Sequence, residues 1–225
     1  MPEKNDTLKL MPREKAISQG ISVLSDEELL AIILKTGYKN KNVLELSRDL
    51  LEKTEGLAGL TSLDFLSLTN FKGISKAKAL EIMAINELCL RMSYEKLQYR
   101  DILSNPKEVT DWLKHKIGLK QQEHFMVLFL NKKNYLIGYR MIYIGNSVSV
   151  DVNPKDIFKE ALVAGATGII LVHNHPSQNV EPSKKDVSTT KRIISSGEMM
   201  GIPVLDHLIV SGYDYFSFKN MGLMK

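Results

Sequence analysis

Through residue 95 the apolar positions fall three and four apart, the spacing that lays one stripe along a helix. Ser25-Asp26-Glu27-Glu28 forms a capping box that opens a helix over Leu29-Leu30-Ala31-Ile32-Ile33-Leu34, closed by Gly37. Asn42 caps a second helix, on which Val43, Leu46, Leu50 and Leu51 share a face. After Gly56 and Gly59 a short helix is expected over 63–68. Beyond the turn Phe71-Lys72-Gly73-Ile74-Ser75 a long helix runs through Ile82, Ile85, Leu88 and Met92. The first 20 or so residues are polar, with Pro2 and Pro12, and read as an arm over these helices. An all-helical domain over 1–95 is the result.

The polar stretch 96–103, with Lys96, Gln98, Arg100 and Asp101, reads as a linker, and a second domain fills 104–225. Ser104-Asn105-Pro106 opens a helix carrying Val109, Trp112, Leu113 and Ile117. Glu123-His124-Phe125-Met126-Val127-Leu128-Phe129-Leu130 is a strand, turned by Asn131-Lys132-Lys133-Asn134 into an antiparallel partner over 135–144. A helix over 155–164, strands over 168–172 and 204–210, and an edge over 213–218 complete the domain. The order β-α-β-α-β gives a sheet flanked by helices. The chain as a whole is therefore α+β, an all-α domain followed by an α/β/α domain.

The second domain holds the candidate chemistry. Gly168-Ile169-Ile170-Leu171-Val172 is a buried strand, followed by His173-Asn174-His175-Pro176. Side chains alternate along a strand, so His173 and His175 leave its end on one side, and Pro176 stops the ladder. Eleven residues after His175 comes Asp186, in the first turn of a helix that Ser183 caps. Two imidazoles and one carboxylate make a three-ligand set with a place left for water, the form of catalytic rather than structural zinc sites. One Zn2+ per chain is the expected cofactor.

The string HNHPSQNVEPSKKD resembles the JAMM (MPN-plus) metalloprotease motif, in the version found in the bacterial RadC family, long labelled a DNA repair family. The residue after HNHPS is commonly glycine in that family and is Gln178 here, a change in a loop residue and not in a ligand. The resemblance also takes in Leu24-Ser25-Asp26-Glu27-Glu28-Leu29-Leu30, and so spans nearly the whole chain. It implies a cytidine-deaminase-like layering for the MPN domain. It also implies that Glu123 is the general base and that Ser183 helps hold the oxyanion during amide or isopeptide hydrolysis, with a protein or peptide as substrate. No natural substrate is implied.

The turn before the long helix resembles a helix-hairpin-helix, with Ser75 where a second glycine is usual. Gly73, Ser75, Lys76 and Lys78 are its candidate DNA contacts, through helix N-terminal amides and lysine charge. The alternative to a hydrolase is therefore a DNA repair or recombination accessory that grips DNA through its helical domain, with a regulatory or vestigial metal site. A plain αα-hairpin with solvated lysines would carry the same residues. Lys and Arg number 30 against 26 acidic residues, a net charge of +4 that permits DNA contact without demanding it. A metal-dependent nuclease fits less well, since such sites are rich in carboxylates. Cys89 is the one cysteine, expected to pack as a small hydrophobe; a disulfide framework, a cysteine-rich zinc site and a zinc deaminase are thereby excluded. The polar N-terminus has no apolar signal core and no stretch nears the roughly 20 apolar residues of a span, so a cytoplasmic location away from membranes is expected.

Overall fold

The computed structural model describes residues 10–145 and 152–224 and divides into two compact units, 1–87 and 88–225. The first is helical: α1 (Pro12–Gln19), α2 (Asp26–Leu34), α3 (Val43–Lys53), α4 (Leu57–Ser62), α5 (Phe65–Thr69) and the start of α6 (Lys76–Leu97). The expected capping box of Ser25 with Glu28 forms, and Asn42, expected as a cap, forms one as well with Glu45. Leu30, Leu34, Leu46, Leu50, Leu68 and Ile74 meet in one core.

Several expectations need adjusting. Residues 12–19 of the expected arm are the helix α1, tied to α2 by Lys15 and Glu28 at 2.7 Å; residues 1–9 lie outside the described residues. α2 ends at Leu34 with Lys35 in the left-handed region, before Gly37. The helix expected over 63–68 is instead the pair α4 and α5, divided at Asp64, whose carboxylate caps Ser67 N–H at 2.7 Å. Gly59, taken as a break, lies inside α4 because its missing Cβ lets the helix pass against the Thr54 carbonyl. Of the apolar stripe on α6, Ala79 and Ile82 are buried whereas Ile85, Leu88 and Met92 are exposed. Cys89 is exposed as well, contrary to its expected packing, since the next buried residue of α6 after Ile82 is Leu97.

The second unit carries the sheet. After α7 (Pro106–Leu113) and a π-helical turn (Lys114–Gly118) come β1 (Glu123–Leu130), β2 (Leu136–Gly145), α8 (Pro154–Val163), β3 (Gly168–Asn174), α9 (Lys184–Met200), β4 (Val204–Val210) and β5 (Tyr215–Ser217). The strand order is β2-β1-β3-β4-β5; β3 and β4 are parallel and the other neighbours antiparallel. Of the stretch expected as a linker, Leu97 and Ile102 are buried in this unit's core, and Ile102 N–H donates to Asn134 C=O at 3.2 Å.

Alternation along β1 and β3 assigns their residues to two cores. Met126, Leu128, Leu130, Ile170 and Val172 pack with Trp112, Leu113 and Ile117. Phe125, Val127, Phe129, Ile169 and Leu171 pack on the opposite face with Ile157 and Phe158 of α8 and Ile193 of α9. All seven residues of β3 are buried. His173 follows Ile169 and Leu171 on the face covered by α8 and α9.

Candidate metal centre

Strand register builds the site. Phe125 pairs with His173 as the last pair of the antiparallel β1–β3 ladder, and Glu123, two residues before Phe125, and His175, two after His173, lie just beyond it, close enough for each to feel the other's charge. Glu123, Phe125, His173 and His175 therefore share one face. α9 covers that face, and its first turn brings in Asp186. The Asp186 oxygens lie 3.4 Å from His173 Nε2 and 3.6 Å from His175 Nε2, while the two Nε2 atoms are 3.0 Å apart. One ligand atom from each of the three residues falls within 4.8 Å of the others, a group able to hold a metal ion.

The protons in the surrounding hydrogen bonds decide which nitrogens are free. His175 Nδ1 lies 2.6 Å from the Asn179 carbonyl, an acceptor only, so it carries hydrogen. Thr190 Oγ1 is 2.6 Å from both the Asp186 carbonyl and His207 Nδ1. One polarity satisfies every contact. Thr190 O–H donates to the carbonyl, His207 Nδ1–H donates to Thr190, and His173 Nδ1–H donates to His207 Nε2 at 2.9 Å. Both Nε2 lone pairs are left facing one point beside a carboxylate. Two lone pairs 3.0 Å apart repel unless a proton or a metal ion stands between them, and the donor set fits either.

The charge states of His173 and His207 agree with this. Burial lowers the pKa of His173 to about 4 and that of His207 well below its ordinary value, so both rings are neutral at pH 7. His175 is pushed up, first by Asp186. Burial alone would raise the Asp186 carboxyl, but His175, His173 and the Ser183 donors outweigh it and hold it well below the usual carboxylate range. Glu123, half-buried, is raised by desolvation and next by the Asp186 charge. Ser183 is the N-cap of α9: its hydroxyl donates to Asp186 Oδ2 at 2.6 Å and accepts Asp186 N–H at 3.1 Å.

The second unit matches the profile of the RadC-like JAB domain over residues 103–223, and the first matches the UPF0758 N-terminal profile over 7–80. A UPF0758 protein of Clostridium botulinum is 41% identical over 95% of this chain and 93% of its own length. One from Desulfitobacterium hafniense is 38% identical over 96% and 95%. The chain belongs to the RadC (UPF0758) family.

In this RadC-family chain Gln178 has φ +64°, a left-handed conformation that glycine adopts without strain. Its side chain bridges two elements: Nε2 donates to the Gly118 carbonyl at 3.0 Å, and Oε1 accepts Gly212 N–H at 2.9 Å. His207 and Thr190, unused by the motif, proved to be partners of the ligands. Gly73, in the RadC-family helical unit, has φ +96° and lies against the Tyr38 ring. Ser75 Oγ accepts Lys78 N–H at 3.3 Å, capping α6, and Lys76 is exposed. Lys78 points inward: its ammonium donates to the carbonyls of Thr36 at 2.6 Å and Gly73 at 3.1 Å, and burial lowers its pKa. No helix among the described residues is long and apolar enough to cross a membrane.

Proposed function

We propose that this RadC-family protein hydrolyses an amide or isopeptide bond in a protein or peptide, with one zinc ion held by His173, His175 and Asp186. The observation that carries the reading is the convergence of two free imidazole lone pairs and one carboxylate, with Glu123 on the same face of the sheet. Imidazole with one carboxylate suits zinc among the divalent ions. Bound there, zinc supplies Lewis acidity, which acidifies water and polarises a carbonyl.

The residues of the chain handle the protons. Glu123 accepts a proton from the attacking water at its carboxylate and returns it to the departing amine. Desolvation and Asp186 make it a stronger base than a solvated glutamate, closer to the range in which one group can both take and give a proton near pH 7. The Ser183 hydroxyl, which donates to Asp186 Oδ2 here, would turn to donate to the developing oxyanion. His207 and Thr190 keep His173 in the tautomer whose Nε2 is free.

Zinc content by plasma mass spectrometry, followed by a fluorogenic peptide and isopeptide library, tests the reading. Near-stoichiometric zinc and cleavage lost by about 10²–10⁴-fold in Glu123→Gln, with zinc retained, are expected. A folded protein that takes up no zinc, or a Glu123→Gln variant with parental cleavage, refutes it.

A further inference from the structure

Asn174, between the two ligand histidines, is itself fully buried. The regular β1–β3 pairing ends at Phe125 opposite His173, and Pro176, lacking an N–H, cannot continue it. The Asn174 side chain takes over at that point. Its Oδ1 accepts His124 N–H at 2.8 Å, and its Nδ2 donates to the carbonyls of Lys120 and Gln122, both at 3.1 Å. Its oxygen and both its N–H groups are thus engaged by backbone groups on either side of Glu123.

We infer that Asn174 is a positioning residue: its carboxamide replaces the missing ladder and sets the backbone of residues 120–124 so that Glu123 stands close to His175. This deepens the hydrolase reading and rests on it for the role of Glu123. Alternation puts Asn174 on the opposite face from the ligands, so it acts on the base while leaving the metal set alone. A residue of this kind leaves zinc binding intact and changes kcat rather than KM, because the base enters only in the transition state. The requirement is strict: asparagine alone among short side chains offers one acceptor and two donors from a single planar group.

The test uses the full-length zinc-loaded protein and the variants Asn174→Ala and Asn174→Asp. The aspartate keeps the volume and the acceptor for His124 but turns an oxygen toward two carbonyls. In the alanine variant, exchange of the His124 amide should accelerate by about tenfold or more, since its acceptor is gone. Zinc affinity should stay within about twofold in both variants. Against the best-cleaved member of the fluorogenic library, kcat should fall about 100-fold, the scale set by misplacing a reacting group by about 1 Å. The double variant Asn174→Ala/Glu123→Gln should be no slower than Glu123→Gln, since the clamp has no purpose without the base. An unchanged His124 amide, a loss of zinc, or fully additive losses in the double variant would overturn the inference. If the parent cleaves nothing, the hydrolase reading falls, while amide exchange and zinc affinity still decide whether Asn174 sets this segment independently of the metal.

Discussion

His207→Leu tests how far the ligands depend on the residues behind them. In the protein His173 Nδ1–H donates to His207 Nε2 at 2.9 Å, both rings buried. Leucine nearly fills the same space but offers no acceptor. With the metal removed, His173 can relax by moving its hydrogen to Nε2, toward Asp186 at 3.4 Å. Metal binding must undo that, returning the hydrogen to an Nδ1 with no partner. A buried donor left unpaired costs about 1–3 kcal/mol. At about 1.4 kcal/mol per decade this is roughly 5- to 150-fold in affinity, in line with the 10- to 100-fold typical of lost outer partners. Competition with a chromophoric zinc chelator at fixed pH measures it, with thermal melting to confirm folding. His207→Gln, which can still accept from His173, should recover much of the loss, and Thr190→Val should fall between. A folded His207→Leu protein that binds zinc as tightly as the parent would show that the hydrogen-bond chain does not set the tautomer.

Acidity should weaken zinc binding by about tenfold per pH unit below the raised pKa of His175, since one proton, held there by Asp186, must leave. His173, lowered to about 4 from 6.5, contributes no second proton near pH 6. Calorimetry in two buffers of different ionisation enthalpy should find about one proton released at pH 6; two or none counts against these charge states. The same depressed value makes the metal-free fold less stable as pH falls from 6.5 toward 4, because only the unfolded His173 takes up a proton in that window. At residue 178, alanine keeps the left-handed strain and loses both bridges, whereas glycine loses the bridges and the strain. Gln178→Gly should therefore be about 1 kcal/mol more stable than Gln178→Ala, and an alanine variant equal to or better than glycine refutes the strain argument.

The local parts of the site were legible in the sequence. Two-residue spacing put His173 and His175 on one side of a strand end, and Ser183 three residues before Asp186 announced the helix start. The parts that were not legible depend on pairing across distance. His207 lies 34 residues from His173 and reaches it only through the parallel register of β3 with β4. Asn174 meets Lys120 and Gln122 only because the β1–β3 ladder stops where it does. Local spacing encodes neither register. The same limit applies to Lys78: on α6 it reads as a solvated charge, and only the segment after α2, at Thr36 and Gly37, supplies distant carbonyls that hold it. At Cys89 periodicity misled, since an apolar stripe shows that a face can be buried and not that a core reaches it.

The burial of β3 on both faces has a kinetic consequence. His173 lies on the strand shared by both cores of the second unit, so its backbone can move only when that unit opens as a whole. Asp186 belongs instead to the first turn of a helix whose cap, Ser183, is open to solvent. Exchange of the cation should thus proceed by fraying of that turn, with the carboxylate letting go first and the imidazoles last. Its rate would follow the strength of the Ser183 cap and not the stability of the sheet.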